Sequence, residues 1–331
     1  MFSGRFEWLQ APRTVVEGTW SREYAVLPLH CGCRGAQCLC RGHLPRGKYT
    51  TSGVQSEPMW PIPCLGASPG DAREYWESRH GRLHFENVYS VTEDPELRAR
   101  IMELLTGALD PVAPCRILIP GCGARALLER DLVTSVLAWS ILATDYPGVV
   151  RAAAKQLQHP RVAYCGRDTR ALDLESEYDA AVVINAILSD SDVDNRAMLR
   201  SVHAAIRPSG LFVGLFPTIF APADIGFCEE RERWRLELVD LLHSRYCFDE
   251  HVGATHILYT PLRLRAILRE AGFTAVRMEV FFCESPCLRE EAARVYGLEG
   301  GDAVIYELLV TCRKAPVHPD RATPHAAAVS E

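Results

Sequence analysis

The sequence predicts a doubly wound α/β domain, and two observations predict it. From Cys115 onward, short apolar runs alternate with helical ones: RILIP, ARALLERDLV, SILATD, PGVVRAAAKQLQ, RVAYCGRD, YDAAVVINAIL, NRAMLRSVHAAIRPSG and LFVGLFP follow in that order. Within the apolar runs hydrophobic and polar residues do not alternate, which is the pattern of strands covered by helices on both faces.

Residues 1–70 are rich in Gly, Pro and Cys, lack sustained periodicity and read as an irregular arm. DAREYWESRHGRL then opens on Asp71 as a candidate N-cap. In EDPELRARIMELLTGAL, Asp94 caps a helix with Pro95 at its first position. Leu97, Ile101, Leu104 and Leu105 share one face of it, and Gly107 is the stop. The helix NRAMLRSVHAAIRPSG is read as closed by Pro208 and Gly210. Residues 217–260 interrupt the alternation with an insertion that carries a charged helix, CEERERWRLELVDLLHSRY. TPLRLRAILREAGF follows as a helix with Thr260 as cap and Pro261 at its first position, ending at Gly272, and TAVRMEVFF and VIYELLVTCRK read as strands. The tail, residues 315–331, has the composition of a disordered segment, so the domain itself spans 71–314.

With 331 residues and 48% hydrophobic content the chain has ample material for a core. Its 36 basic and 42 acidic residues leave a net charge of −6 with no long basic run, which argues against a dedicated nucleic-acid surface. No stretch approaches the roughly 20 apolar residues of a membrane-spanning helix, and MFSGRFEWLQAPR lacks the apolar core of a secretion signal. The expected location is cytoplasmic. The 13 cysteines, an odd number scattered through core-like segments, suit a reducing compartment.

In an open α/β sheet the ligand lies beyond the carboxyl ends of the strands. Gly121, Cys122 and Gly123 follow the first strand and, with Ala126, fit G-x-G-x-x-G/A. Such a turn lets a ligand lie against the backbone. By itself it suits a pyrophosphate, an S-adenosylmethionine (SAM) without phosphate, or no ligand at all. Asp145 ends the second strand, 22 positions after Gly123 and next to Tyr146; it reads as an acceptor for two ribose hydroxyls, or as a helix cap. Asp168, with the small Thr169 beside it, ends the third strand and reads as an acceptor for an adenine amino group, or as a turn residue. Asn185 ends the fourth.

In ILIPGCGARA, ATDYPG, CGRD, YDAAVVINAIL, IRPSGLFVGLF and LRAILREAGFTAVRMEV, taken in order, the chain resembles the class I SAM-dependent methyltransferases. The resemblance covers about residues 71–314. It implies a Rossmann-like, seven-stranded, mostly parallel sheet whose last strand inserts antiparallel. It implies SAM as cofactor, held by Gly121, Cys122, Gly123, Asp145, Tyr146, Asp168, Thr169 and Asn185. The chain departs from the family at Pro120, where an acidic residue is common. REYWESRHGRLHFENVY also resembles a Tyr-Trp-x-x-Arg-aromatic segment of some of these enzymes, with His80 after Arg79; the other reading is an amphipathic helix that buries Tyr75 and Trp76.

Methyl transfer is an in-line displacement, and a base is needed only if the acceptor loses a proton. HVGATHILYTP offers His251, His256 and Tyr259 for that part, with His256 as base or orienting group and Tyr259 beside it. The other reading of His256 is a partly buried histidine bonded to backbone. His243 reads as a surface residue, and the family's Asn-Pro-Pro-Tyr signature is replaced here by NAIL. LHCGCRGAQCLCRGH sets Cys31, Cys33, Cys38 and Cys40 between His30 and His43 as a possible zinc site, with unligated thiols or disulfides as the alternatives. The expected activity is methyl transfer to an oxygen or nitrogen of a small molecule. The alternatives are a protein or peptide acceptor, or a binding module without turnover.

Overall fold

A computed structural model describes residues 90–228, 236, 239–249, 254–284, 286, 289 and 305–316. The chain divides into two units, Met1–Glu57 and Pro58–Glu331, and every described residue belongs to the second. The helix read from Asp71 with Tyr75 and Trp76, the clustered Cys31, Cys33, Cys38 and Cys40, His251, and the tail from residue 317 lie outside the described residues.

Five parallel strands, β1 (Cys115–Pro120), β2 (Trp139–Asp145), β3 (Val162–Gly166), β4 (Tyr178–Ile184) and β5 (Ile206–Pro217), are joined by β9 (Phe273–Phe282) and β10 (Tyr306–Lys314). The sheet order is β3-β2-β1-β4-β5-β10-β9, and β10 runs antiparallel to both of its neighbours. This is the seven-stranded, mostly parallel sheet that the resemblance implies. Strand order reverses between β1 and β4, so a crevice opens there.

Helix α1 (Pro95–Thr106) precedes β1; α2 (Leu127–Ser135), α3 (Pro147–Gln156) and α4 (Asp192–Ala205) follow β1, β2 and β4, and α5 (Phe220–Cys228) and α6 (Pro261–Glu270) come after β5. Asp94 caps α1 by accepting from the Glu96 and Leu97 amides at 2.8 and 3.3 Å, and Pro95 takes the first position. Leu97 and Ile101 of α1 and Leu128 of α2 pack on one face of the sheet with Ile117 and Val182. Leu199 of α4 and Leu264 of α6 pack on the other with Leu118 and Val183. Successive residues from Ile117 to Ile119 of β1 and from Ala180 to Val183 of β4 thus point to opposite cores, and this is why these stretches are apolar without alternation.

Two elements differ from their sequence reading. The helix that should run through IRPSG ends at Ala205, and Ile206 already belongs to β5. Tyr178 of β4 pairs with Ile206, and Ala180 then pairs with Leu211. The Pro-Ser-Gly break is therefore absorbed as a bulge in the strand, with Ser209 at φ 64. The second difference lies in the charged segment. Residues 229–235 and 237–238 of the expected charged helix lie outside the described residues, but its end is not helical: Val239–Asp240 (β6) and Arg245–Asp249 (β7) form a hairpin, and β7 pairs in turn with β8 (Ala254–Ile257). Asp240 closes the turn by accepting the His243 amide at 3.0 Å, and Leu242 stands 86% exposed in it. Pairing with β8 outweighs the modest helix preference of the segment.

Candidate functional site

The turn after β1 is shaped by two glycines at φ 63 and φ 72, Gly121 and Gly123. A Cβ on Gly121 would stand 2.2 Å from the Cβ of Ala186, so the turn is pressed against the exit of β4. A Cβ on Gly123 would meet nothing within 4 Å. Pro120 has no N–H to donate, and the pairing with β2 is continued by the Cys122 amide, which donates to the Thr144 carbonyl at 3.0 Å. Asp145 is oriented by two backbone donors, the Gly123 amide at 2.9 Å and the Tyr146 amide at 2.7 Å.

These groups line one cavity of about 330 Å³, within the usual size range for small ligands. All eight residues of the expected cofactor set, Gly121, Cys122, Gly123, Asp145, Tyr146, Asp168, Thr169 and Asn185, stand in its wall. Ile184, Leu188, Ser189 and Met198 extend it on the β4 side, and Ser90, Val91 and Thr92 contribute from the segment before α1.

Asp168 caps a short 3₁₀ turn, Thr169–Ala171, and pairs with Arg170. Burial pushes its carboxyl up, but the bonds from Arg170 more than offset this and hold it below the ordinary value. Arg170 reaches on to Asp194 at 3.1 Å. Glu129, in the first turn of α2, is the opposite case: it is 1% exposed, its Oε1 has no hydrogen-bond partner, and burial raises it to about 8. Burial, and after it Asp145 and Glu129, raise the Cys122 thiol as well.

Asn185 leaves β4 in the left-handed region at φ 48, which asparagine tolerates better than most residues. Its side-chain Nδ2 donates to Glu307 of β10 at 2.8 Å.

His256 and Tyr259 are not in the cavity wall. His256 is buried on β8 opposite Tyr246. Tyr259 is fully buried, its hydroxyl donates to the Ile187 carbonyl at 2.9 Å, and its ring meets Phe216 edge-on. The structure gives Tyr259 a packing part where the sequence suggests chemistry. His243 is exposed, as read, but sits in the β6–β7 turn, with Nδ1 2.7 Å from Asp240. Among the described residues no group of three or more His, Cys, Asp or Glu is arranged to hold a metal ion. No described helix is long and apolar enough to cross a membrane.

Sequence reasoning misses Glu129 and Glu307. A signal exists for both: Glu129 lies four residues before Val133 on a face shared with the core, and Glu307 interrupts the apolar run VIYELLVTC.

No family model matches the sequence, and no curated protein matches it. Solved structures do share its fold. One is the 1,6-didemethyltoxoflavin-N1-methyltransferase of Burkholderia thailandensis, with 1,6-didemethyltoxoflavin and S-adenosylhomocysteine bound. It is 17% identical over 75% of this chain and 93% of that one, with a TM-score of 0.50. A SAM-dependent methyltransferase of Methanosarcina mazei is 16% identical over 65% of this chain and 98% of its own, at a TM-score of 0.49. One from Mesorhizobium loti is 21% identical over 64% and 96%, at 0.47. The chain has the class I SAM-dependent methyltransferase fold.

Proposed function

We propose that the protein is a SAM-dependent methyltransferase acting on an oxygen or nitrogen of a small molecule. The observation that carries this is the convergence of the glycine turn, Asp145, Asp168 and Asn185 on one cavity at the carboxyl ends of β1 to β4. The residues fit the cofactor. On this reading Asp145 accepts from ribose hydroxyls, Asp168 and Thr169 take the adenine side, and the ligand lies along the open side of Gly123, where a Cβ would meet nothing within 4 Å. When bound, SAM supplies a methyl carbon already activated by its positively charged sulfur. The chain then has to bind, align and exclude water, which requires no fixed catalytic signature. A small acceptor suits the cavity's size and its apolar wall at Ile184, Leu188 and Met198. It also accords with the Burkholderia thailandensis protein, whose methyl acceptor is a small molecule.

The test is calorimetry with SAM and with S-adenosylhomocysteine, followed by transfer of labelled methyl to panels of amines, phenols and peptides. Folded protein that binds neither cofactor form ends the methyltransferase reading. Label that enters only peptides overturns the acceptor class. Binding without transfer to any acceptor points to a module that keeps the fold and not the reaction.

A further inference from the structure

Behind the cavity wall lies a buried acid that the proposed chemistry leaves unused. Glu307 is the second residue of β10 and is 7% exposed; its Oε1 accepts the Asn185 Nδ2 at 2.8 Å. Its Oε2 and the Oδ1 of Asn185 are both buried, and neither has a hydrogen-bond partner. Two acceptors are thus left over on two groups already joined by one bond. A proton on Oε2 would supply the one donor that the pair lacks; donated to the amide oxygen, as acids and amides do when they pair, it would serve both. An unmade bond at a buried polar atom costs about 1–3 kcal/mol, so the geometry favours the protonated pair. Burial acts in the same direction and raises Glu307 to about 7.

Among the described residues no cation acts on Glu307. Burial and the Asn185 bond are what act on Glu307. Cys283, just after β9, is a thiol raised by burial and then by Glu307 and Asp94. Asp94, the cap of α1, is buried with its Oδ2 unpartnered. On the far side of the turn stand Asp145 and Glu129. Glu307 also has a route to the ligand. Asn185 is part of the cavity wall, and the next residue, Ala186, rests against Gly121.

If the methyltransferase reading holds, ribose at Asp145 and adenine at Asp168 direct the sulfur end of the cofactor toward Asn185. We propose that Glu307 is a positioning residue that reads ligand charge: protonated, it is doubly bonded to Asn185, and ionised, it favours the sulfonium cation of SAM over the neutral sulfur of S-adenosylhomocysteine. Ionisation sends the Oε2 proton to solvent and breaks the O–H bond to Oδ1. The Nδ2 bond remains and becomes charge-assisted. By linkage, SAM must in turn make Glu307 easier to ionise, by the same factor.

The experiment measures the affinities of SAM and S-adenosylhomocysteine for the full chain from about pH 5.5 to about pH 8.5, in wild type and E307Q. Both ligands carry the same amino-acid and adenosine groups, so the affinity ratio isolates the charge on sulfur. The ratio in favour of SAM is expected to rise about three- to tenfold with pH in wild type, and to stay flat in E307Q. A flat wild-type ratio with both ligands bound overturns the proposal. So does a rise that survives in E307Q and disappears in E129Q, which would assign the charge to Glu129. If neither ligand binds wild type, the methyltransferase reading fails and takes the proposal with it. Should E307Q not fold, E307M, which removes both acceptor oxygens, supplies the flat reference.

Discussion

Replacing Gly121 and Gly123 one at a time by alanine should separate folding from binding at the turn. Both glycines have φ in the left-handed region, 63 and 72, where an L side chain costs about 1–2 kcal/mol. Their surroundings differ. The new Cβ at Gly121 would lie 2.2 Å from that of Ala186, well inside contact distance, and relieving it must move the β4 exit. Overpacking of this kind costs a further 1–3 kcal/mol or so. G121A therefore loses about 2–5 kcal/mol and G123A about 1–2 kcal/mol. At about 2 °C per kcal/mol for a domain of this size, the melting temperature falls by about 4–10 °C in the first and about 2–4 °C in the second.

Ligand binding should rank the two variants differently. The methyl group of G123A points into open space beside the backbone that the cofactor is expected to touch, so SAM affinity should drop about tenfold or more in a protein that is nearly as stable as wild type. Thermal unfolding without ligand and calorimetry with SAM measure the two effects separately. Equal melting temperatures for the variants would refute the Ala186 contact. Wild-type SAM affinity in G123A would refute the placement of the ligand along the turn.

Three further outcomes follow from the same geometry. Asp145→Ala removes the expected ribose acceptor and should weaken SAM about 10- to 100-fold by calorimetry; unchanged affinity would mean that the ribose lies elsewhere. Glu129 is raised from 4.5 unfolded to about 8 folded, so the folded state holds the extra proton and stability falls as pH rises through that window. Glu129→Gln removes this dependence, and its melting temperature relative to wild type should climb from pH 4.5 to pH 8, the limits set by that shift. Tyr259→Phe deletes one buried hydrogen bond and should cost about 1 kcal/mol of stability with methyl transfer unchanged; a large fall in kcat would return the hydroxyl to the chemistry.

What the sequence makes legible depends on whether the deciding interaction is local. The central parallel strands are legible because burial on both faces favours unbroken apolar runs: in β4 the buried run Ala180–Val183 carries no polar residue. That the expected cofactor residues share one cavity wall is legible because most of them stand at strand ends, where an open α/β sheet puts its crevice. IRPSG shows how far such signals go. Pro208 and Gly210 do mark a break, but a break can end a helix or bulge a strand, and pairing of Ile206 with Tyr178 selects the second. The hairpin at 239–249 depends on β8, which no local pattern announces. Glu307 is the instructive case. An acid inside a run read as buried on both faces has to be buried too, and such a conflict between local rules marks sites held for something other than stability.

Pro120 bears on the same question from the other side, since the family resemblance sets an acid there. Restoring it should not help. Pro120 is buried at the end of β1, and two residues on the Cys122 thiol already feels Asp145 and Glu129. A third carboxyl in that space would either stay protonated, and so offer no charge to a cation, or ionise without a partner at a cost of several kcal/mol. Pro120→Asp should therefore lower the melting temperature and leave SAM affinity no better than wild type. On the proposal made above, Glu307 behind Asn185 meets the cation's charge, so a carboxylate at position 120 is not needed. A stable P120D protein that bound SAM more tightly would show instead that the cation's charge is left unmet in wild type, and would undo the part given to Glu307.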